Sequence, residues 1–261
     1  MITIGNKPAD TAAISSEYPA NSLERVIINT LAASSKTYNY ATKERLQFEL
    51  KLRREIVNAA EELYRSHLKF RTFYNSIRNE DYWIRKPDGG FALRPDVKPS
   101  DAIRDIYSNS HKYGTECATA MLMVYYKALL EVFPEEAFNK IFRDIYLMNW
   151  HRIEPELREV SLMQSTYDHL PGDRRYFRNP DVNPETPEWQ GENVIDLGGG
   201  FYYGHGIGRY MAPMFIDSLN QNRIAYADES AYLLDSVGRP NFDRLFSLYQ
   251  KYSATASSVS A

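Results

Sequence analysis

The chain has 261 residues, enough for one or two domains at roughly 150 residues each. With 31 Lys and Arg against 34 Asp and Glu its net charge is −3, so no global positive field draws it to nucleic acid. A composition 43% hydrophobic and 25% charged excludes disorder, and the longest apolar run, 118–126, is far short of the ~20 residues a membrane-spanning helix needs.

Residues 1–20 mix Ala, Ser, Thr and Pro without periodicity and read as a mobile segment, and they lack the basic-then-apolar pattern of a secretion signal. No linker or repeat divides the rest of the chain, so 21–252 is expected as one catalytic domain and the Ser/Ala-rich 253–261 as a disordered tail. Thr42 can cap a long helix in which Phe48, Leu52, Ile56, Ala59 and Leu63 recur at helical spacing, with the charged stretch 51–55 on its wet side. Segments 82–85 and 91–94 flank Lys86-Pro-Asp-Gly-Gly90 and predict a hairpin, after which a capped helix begins at Ser100. Thr115 can cap the next helix, whose Ala118, Met121, Leu122, Tyr125, Leu129 and Val132 hold the 3.6 period and mark it as central and buried. After a short helix near Pro134 the pattern turns to strands at 145–150, 176–177, 193–197 and 201–205, and helices near 214–219 and 241–252 close the chain. Helices first and strands afterwards predict an α+β fold, since the alternating βαβα order is absent.

Cys117 is the only cysteine, which excludes a disulfide framework and a multi-thiolate zinc site. It stands two residues after Thr115, inside the first helical turn, where the helix dipole favours a thiolate, and the position suits either a nucleophile or a small buried structural residue. A nucleophile needs a proton partner. Glu192 opens one predicted strand and His205 ends the next, and a hairpin at Gly198 to Gly200 sets those strands side by side. Cysteine on a helix packed against a sheet that carries the acid/base group is the papain-like arrangement. The glycine-dense 198–208 lacks a following Gly-Lys-Ser/Thr and reads as a turn, and neither His151 with Glu154 nor Asp168-His169 is read as a metal site.

Six blocks in unbroken order carry a resemblance: Phe48-Glu-Leu-Lys-Leu-Arg53, Tyr113-Gly-Thr-Glu-Cys-Ala-Thr-Ala120, Asp144-Ile-Tyr-Leu-Met-Asn-Trp-His151, Gly172 to Pro180, Trp189-Gln-Gly-Glu-Asn-Val-Ile195 and Gly204-His-Gly-Ile-Gly208. From about residue 22 to 250 the chain resembles the bacterial spore-coat transglutaminases, the Tgl-type protein-glutamine γ-glutamyltransferases. The resemblance implies a single compact fold related to the NlpC/P60 cysteine peptidases, with helices packed on a small antiparallel sheet. It implies a calcium-independent enzyme with no cofactor and no metal, which joins the γ-carboxamide of a protein glutamine to a lysine amine and releases ammonia. Cys117 matches the nucleophile and Glu192 the catalytic carboxylate that stands where a peptidase uses histidine. Glu116 matches a second carboxylate able to substitute, and His205 a neighbour of unassigned role. The expected substrates are spore coat proteins offering Gln and Lys side chains to a monomer, made in the mother-cell cytoplasm without a secretion signal and deposited on the spore coat, with no nucleic-acid or membrane partner. The competing expectation is an NlpC/P60-like cysteine peptidase or amidase that depends on His205.

A carboxylate near its usual pKa of about 4.3 is a poor acid at neutral pH, so apolar surroundings are expected to raise that of Glu192. Trp150 and Trp189 are the expected wall, lining a dry approach that keeps water from the intermediate.

Overall fold

Helices carry most of the first part of the chain: α1 (Thr11–Ser16), α2 (Leu23–Ala33), α3 (Lys43–Arg65), α4 (Pro99–Ser108), α5 (Cys117–Val132) and α6 (Glu135–Ile141), with α7 (Ala212–Asn220) and α8 (Phe242–Val259) after the strands. The structure is a computed structural model and describes residues 1–259. Helix α5 is apolar on nearly every side, Lys127 and Glu131 excepted, and a helix of that kind is stable only when surrounded. It is enclosed by α3, α4, α6 and the main sheet, and its Met121, Leu122, Met123 and Val124 are wholly buried. Thr42 caps α3 by accepting from the Arg45 N–H, as its sequence predicts, and Leu52, Ile56, Ala60 and Leu63 pack its inner face on α5. Helix α4 starts at Pro99, one residue before the expected Ser100, because proline has no N–H to leave unsatisfied at a first helical position.

The main sheet has five antiparallel strands in the order Gly208–Met211, Phe201–Gly204, Gly191–Gly198, Arg174–Arg178 and Tyr232–Leu233. Ile195 faces the α5 core, whereas Val194 and Phe177 face α7, where Phe177 stacks on Phe215 with ring centroids 4.9 Å apart. The Gly198–Gly200 turn is a hairpin, as predicted: all three glycines have positive φ, which side chains resist, and the register shifts between Asp196 and Gly198. The 82–94 hairpin also forms, pairing Trp83 with Leu93 and Arg85 with Phe91.

Two expectations are corrected. Residues 1–20 are packed, with Ile2–Ile4 pairing in parallel with Tyr38–Tyr40 and with Ile2 and Ile14 buried against α2 and α3. Those isolated apolar residues show no periodicity because each strand is three residues or fewer. The 253–261 segment, expected as disordered, continues α8 to Val259, and 260–261 lie outside the described residues. Among the described residues no helix is long and apolar enough to cross a membrane.

Candidate active site

Cys117 is the first residue of α5, and Glu116, not Thr115, is its cap. The Glu116 carboxylate accepts from the Ala118 N–H at 2.5 Å, the Thr119 N–H at 2.8 Å and the Thr119 hydroxyl, so three donors occupy it. The main chain before it is held by a short parallel pairing in which Lys69 and Phe70 run beside Gly114 and Thr115. The half-buried thiol faces the end of the Gly191–Gly198 strand, where Asn193 Nδ2 lies 3.5 Å from Sγ and the Glu192 carboxyl is near enough to interact with the thiol.

Glu192 is 5% exposed. Burial pushes its carboxyl up to about 8, the negative charge of Glu116 adds to that, and the Cys117 thiol's hydrogen bond pulls the other way. Its Oε1 is buried with no hydrogen-bond partner, an arrangement far less costly for a neutral carboxyl than for a carboxylate. Burial, followed by the nearby carboxylates of Glu192 and Glu116, also raises the Cys117 thiol well above its ordinary value, which corrects the expectation of a resting thiolate. The dipole of α5 is outweighed because Glu116 already occupies the helix N-terminus.

Cys117 and Glu116 open into a cavity of about 640 Å³ walled by Phe70, Trp150, Arg174, Tyr176 and Asn193, among others. Trp150 borders the cysteine's cavity. Trp189 does not: it packs on the opposite face of the sheet against the Phe177–Phe215 cluster, and its neighbours Glu188 and Gln190 line the cavity instead. The apolar surroundings of Glu192 come from Phe215, which approaches the space beside Gly204, and from Phe70, which approaches Gly206.

His205 lies beyond Phe70, beside a second cavity of about 190 Å³. Its Nε2 donates to the Lys69 carbonyl at 3.2 Å and its Nδ1 accepts from the Tyr203 hydroxyl at 3.1 Å, so both ring nitrogens are engaged. Burial lowers its pKa to about 4 and keeps the ring neutral. It ties down the strand that lies against the chain entering Cys117. Among the described residues no group of three His, Cys, Asp or Glu side chains is placed to hold a metal ion.

The family model for protein-glutamine gamma-glutamyltransferase matches residues 1–249. The chain belongs to that family.

Protein-glutamine gamma-glutamyltransferases from Bacillus cereus (strain B4264) and Bacillus mycoides (strain KBAB4) are each 42% identical to it, over 100% of this chain and 93% of the first relative, and over 95% and 89% for the second. The solved structure of a transglutaminase from Geobacillus stearothermophilus, without its C-terminal extension, matches with a TM-score of 0.75 at 45% identity, covering 80% of this chain and 98% of that one. This transglutaminase is thus an acyltransferase with a compact mixed helix and sheet fold.

Sequence reasoning singled out Cys117, Glu192 and Glu116, which the fold brings together, but missed Asn193, Arg174, Phe70 and Gly204. The signal for Gly204 is steric: a Cβ there would lie 2.7 Å from Glu192 Oε1, 2.8 Å from its Cγ and 2.8 Å from Phe215. Gly204→Ala is expected to displace the Glu192 carboxyl and reduce amine incorporation at least tenfold while the protein stays folded, as read by activity and circular dichroism together.

Proposed function

We propose that this transglutaminase transfers the γ-acyl group of a protein-bound glutamine to a lysine amine through a thioester on Cys117, with Glu192 carrying the proton. The observation that supports it is the half-buried Cys117 on the wall of an open cavity with the buried carboxyl of Glu192 behind it. Glu192 takes the thiol proton as sulfur attacks the carboxamide carbon, the C–N bond breaks, and the same proton leaves with nitrogen as ammonia. The lysine amine then attacks the thioester, the C–S bond breaks, and the amine proton returns through Glu192 to sulfur. Glu116 is less suited to that work, since its oxygens serve as the α5 cap.

Phe70 borders both the Cys117 cavity and the smaller one beside His205. We read these as two mouths of one passage, with Trp150 lining the Cys117 side and excluding water that would otherwise hydrolyse the thioester. A helix N-terminus bearing the nucleophile, set against an antiparallel sheet bearing the acid/base group, supports kinship with papain-like and NlpC/P60 enzymes. Coat proteins as substrates, deposition on the spore after synthesis in the mother cell, and a monomer that works without calcium follow from the resemblance. The hydrolytic alternative asks for a histidine base, and His205 is neutral with both nitrogens engaged.

The test offers a glutamine-rich protein and a fluorescent primary amine to calcium-free enzyme, with Cys117→Ala alongside, and measures covalent label and ammonia. Label from the intact enzyme alone is expected. Ammonia without label would make the protein an amidase, and neither product would remove the catalytic reading for this substrate class.

A further inference from the structure

Two features of the Cys117 cavity are left unused by the proton chemistry: an asparagine amide aimed at the sulfur, and a buried cation with no counter-ion. Asn193 sits one residue after Glu192 on the same strand, is nearly buried, and directs Nδ2 at Cys117 Sγ. An amide has two faces, and turned over it would present oxygen to the sulfur and repel a thiolate. Arg174 prevents this by donating from Nη1 to Asn193 Oδ1 at 2.7 Å, and a guanidinium, having no acceptor, cannot satisfy the reversed amide.

Arg174 is itself 3% exposed. It donates to the Val160 carbonyl at 2.8 Å and the Ser161 carbonyl at 3.2 Å and lies 4.3 Å over the Trp150 ring, and among the described residues no carboxylate pairs with it. A buried cation left without an ion pair is costly, unless an anion forms beside it during the reaction. The Arg174–Arg178 strand and the Gly191–Gly198 strand pair Arg174 with Ile195, which sets the guanidinium alongside Asn193.

We propose that Asn193 is a catalytic residue whose side-chain N–H stabilises the negative charge that develops on the Cys117 sulfur, and that Arg174 is the positioning residue that fixes the direction of its amide. The proposal rests on the Cys117 thioester reading. The other ionisable groups facing the sulfur are Glu116 from its own helix, Glu192 from the neighbouring strand and Tyr176 from the strand carrying Arg174. Glu116 opposes a thiolate, as Glu192 does whenever it is ionised, so the amide of Asn193 and the charge on Arg174 are what balance them.

The test uses Asn193→Ala, Asn193→Asp, Arg174→Met and Arg174→Lys in the full chain, with thermal unfolding as a check on folding. Steady-state amine incorporation and the pH dependence of Cys117 alkylation by iodoacetamide are measured for each. Losing one preorganised donor typically lowers kcat by about 10²–10³-fold. Asn193→Ala is expected to show that loss with KM little changed, and Asn193→Asp, which turns an acceptor to the sulfur, a larger one. In both, the alkylation midpoint moves to higher pH. Arg174→Lys, which keeps a cationic donor for the Asn193 oxygen, is expected to retain more activity and a lower midpoint than Arg174→Met. An unchanged midpoint in folded Asn193→Ala, or equal losses in the two Arg174 variants, would overturn the proposal. Should the Asn193 variants not fold, the Arg174 pair decides alone. Alkylation reads the sulfur without acyl transfer, so a shifted midpoint in an enzyme that labels no amine would count against the thioester reading and leave the Asn193–sulfur coupling standing.

Discussion

Glu192→Gln is expected to lower acyl transfer by about 10²–10⁴-fold, the usual contribution of a positioned acid/base group. Glutamine keeps the shape of the side chain and loses only the exchange of a proton with Cys117. The wild-type pH profile should carry the signature of the carboxyl that is lost. With a Glu192 pKa of about 8, the reactive pair, a thiol beside a carboxylate, is the minor form at neutral pH. Below about pH 8 Glu192 is protonated and cannot take the thiol proton, so kcat/KM rises roughly tenfold per pH unit and levels above that value. In Glu192→Gln that limb should vanish. Glu116→Gln is expected to act mainly on stability, at about 1 kcal/mol for a weakened helix cap. Retention of most activity in Glu192→Gln together with its loss in Glu116→Gln would assign the proton to Glu116 instead.

The second large effect concerns folding. Asp173→Asn is expected to destabilise the protein by about 3–5 kcal/mol, the range for removing one partner of a buried ion pair. At about 2–4 °C per kcal/mol for a domain near this size, Tm should fall by roughly 10 °C. Asp173 is wholly buried and receives Arg53 Nη1 at 2.8 Å and Arg239 Nε at 2.6 Å on Oδ1, and Arg239 Nη2 at 2.7 Å and the Leu170 N–H at 2.9 Å on Oδ2. Arg53, 1% exposed, also contacts Glu49 at 2.9 Å and the Pro171 carbonyl at 3.1 Å. Asparagine removes the charge and leaves two guanidinium groups side by side. The network joins α3, the turn before the Arg174–Arg178 strand and the segment entering α8, so its loss would loosen the strand that carries Arg174. Burial alone would raise the Asp173 pKa, but Arg53 and Arg239 outweigh it and hold it below its ordinary value. A carboxyl lowered on folding stabilises above its unfolded pKa of about 3.9, and that contribution is lost as pH falls through the folded value. Because Asp173→Asn starts from lower stability, its acid unfolding monitored by circular dichroism should begin at higher pH, while the part of the wild-type pH dependence that comes from Asp173 is absent.

This network also marks a limit of pattern. The charged stretch 51–55 looks like the wet side of an amphipathic helix, and Lys51 and Arg54 are partly exposed, but Arg53 is buried on Asp173, 120 positions away in sequence. Helical periodicity reports which residues are apolar, and it is silent about a charge whose partner arrives from another element. The same reason hid the N-terminal segment, whose Ile2 and Ile14 find their neighbours on α2 and α3.

By itself the sequence determined the α3 and α5 helices, the two hairpins, the single nucleophile candidate and, through six ordered blocks, the family. Those features are local: spacing, caps, turn glycines and motif chemistry act within a few residues of one another. Tertiary structure alone decided which groups surround that sulfur. It gave the end of α5 to Glu116 as a cap, set Glu192 in an apolar space opened by Gly204, engaged both nitrogens of His205, turned Trp189 to the far face of the sheet and fixed Asn193 through Arg174. Proton affinity and amide direction depend on burial and on partners distant in the chain, which exist only once the strands and helices have packed.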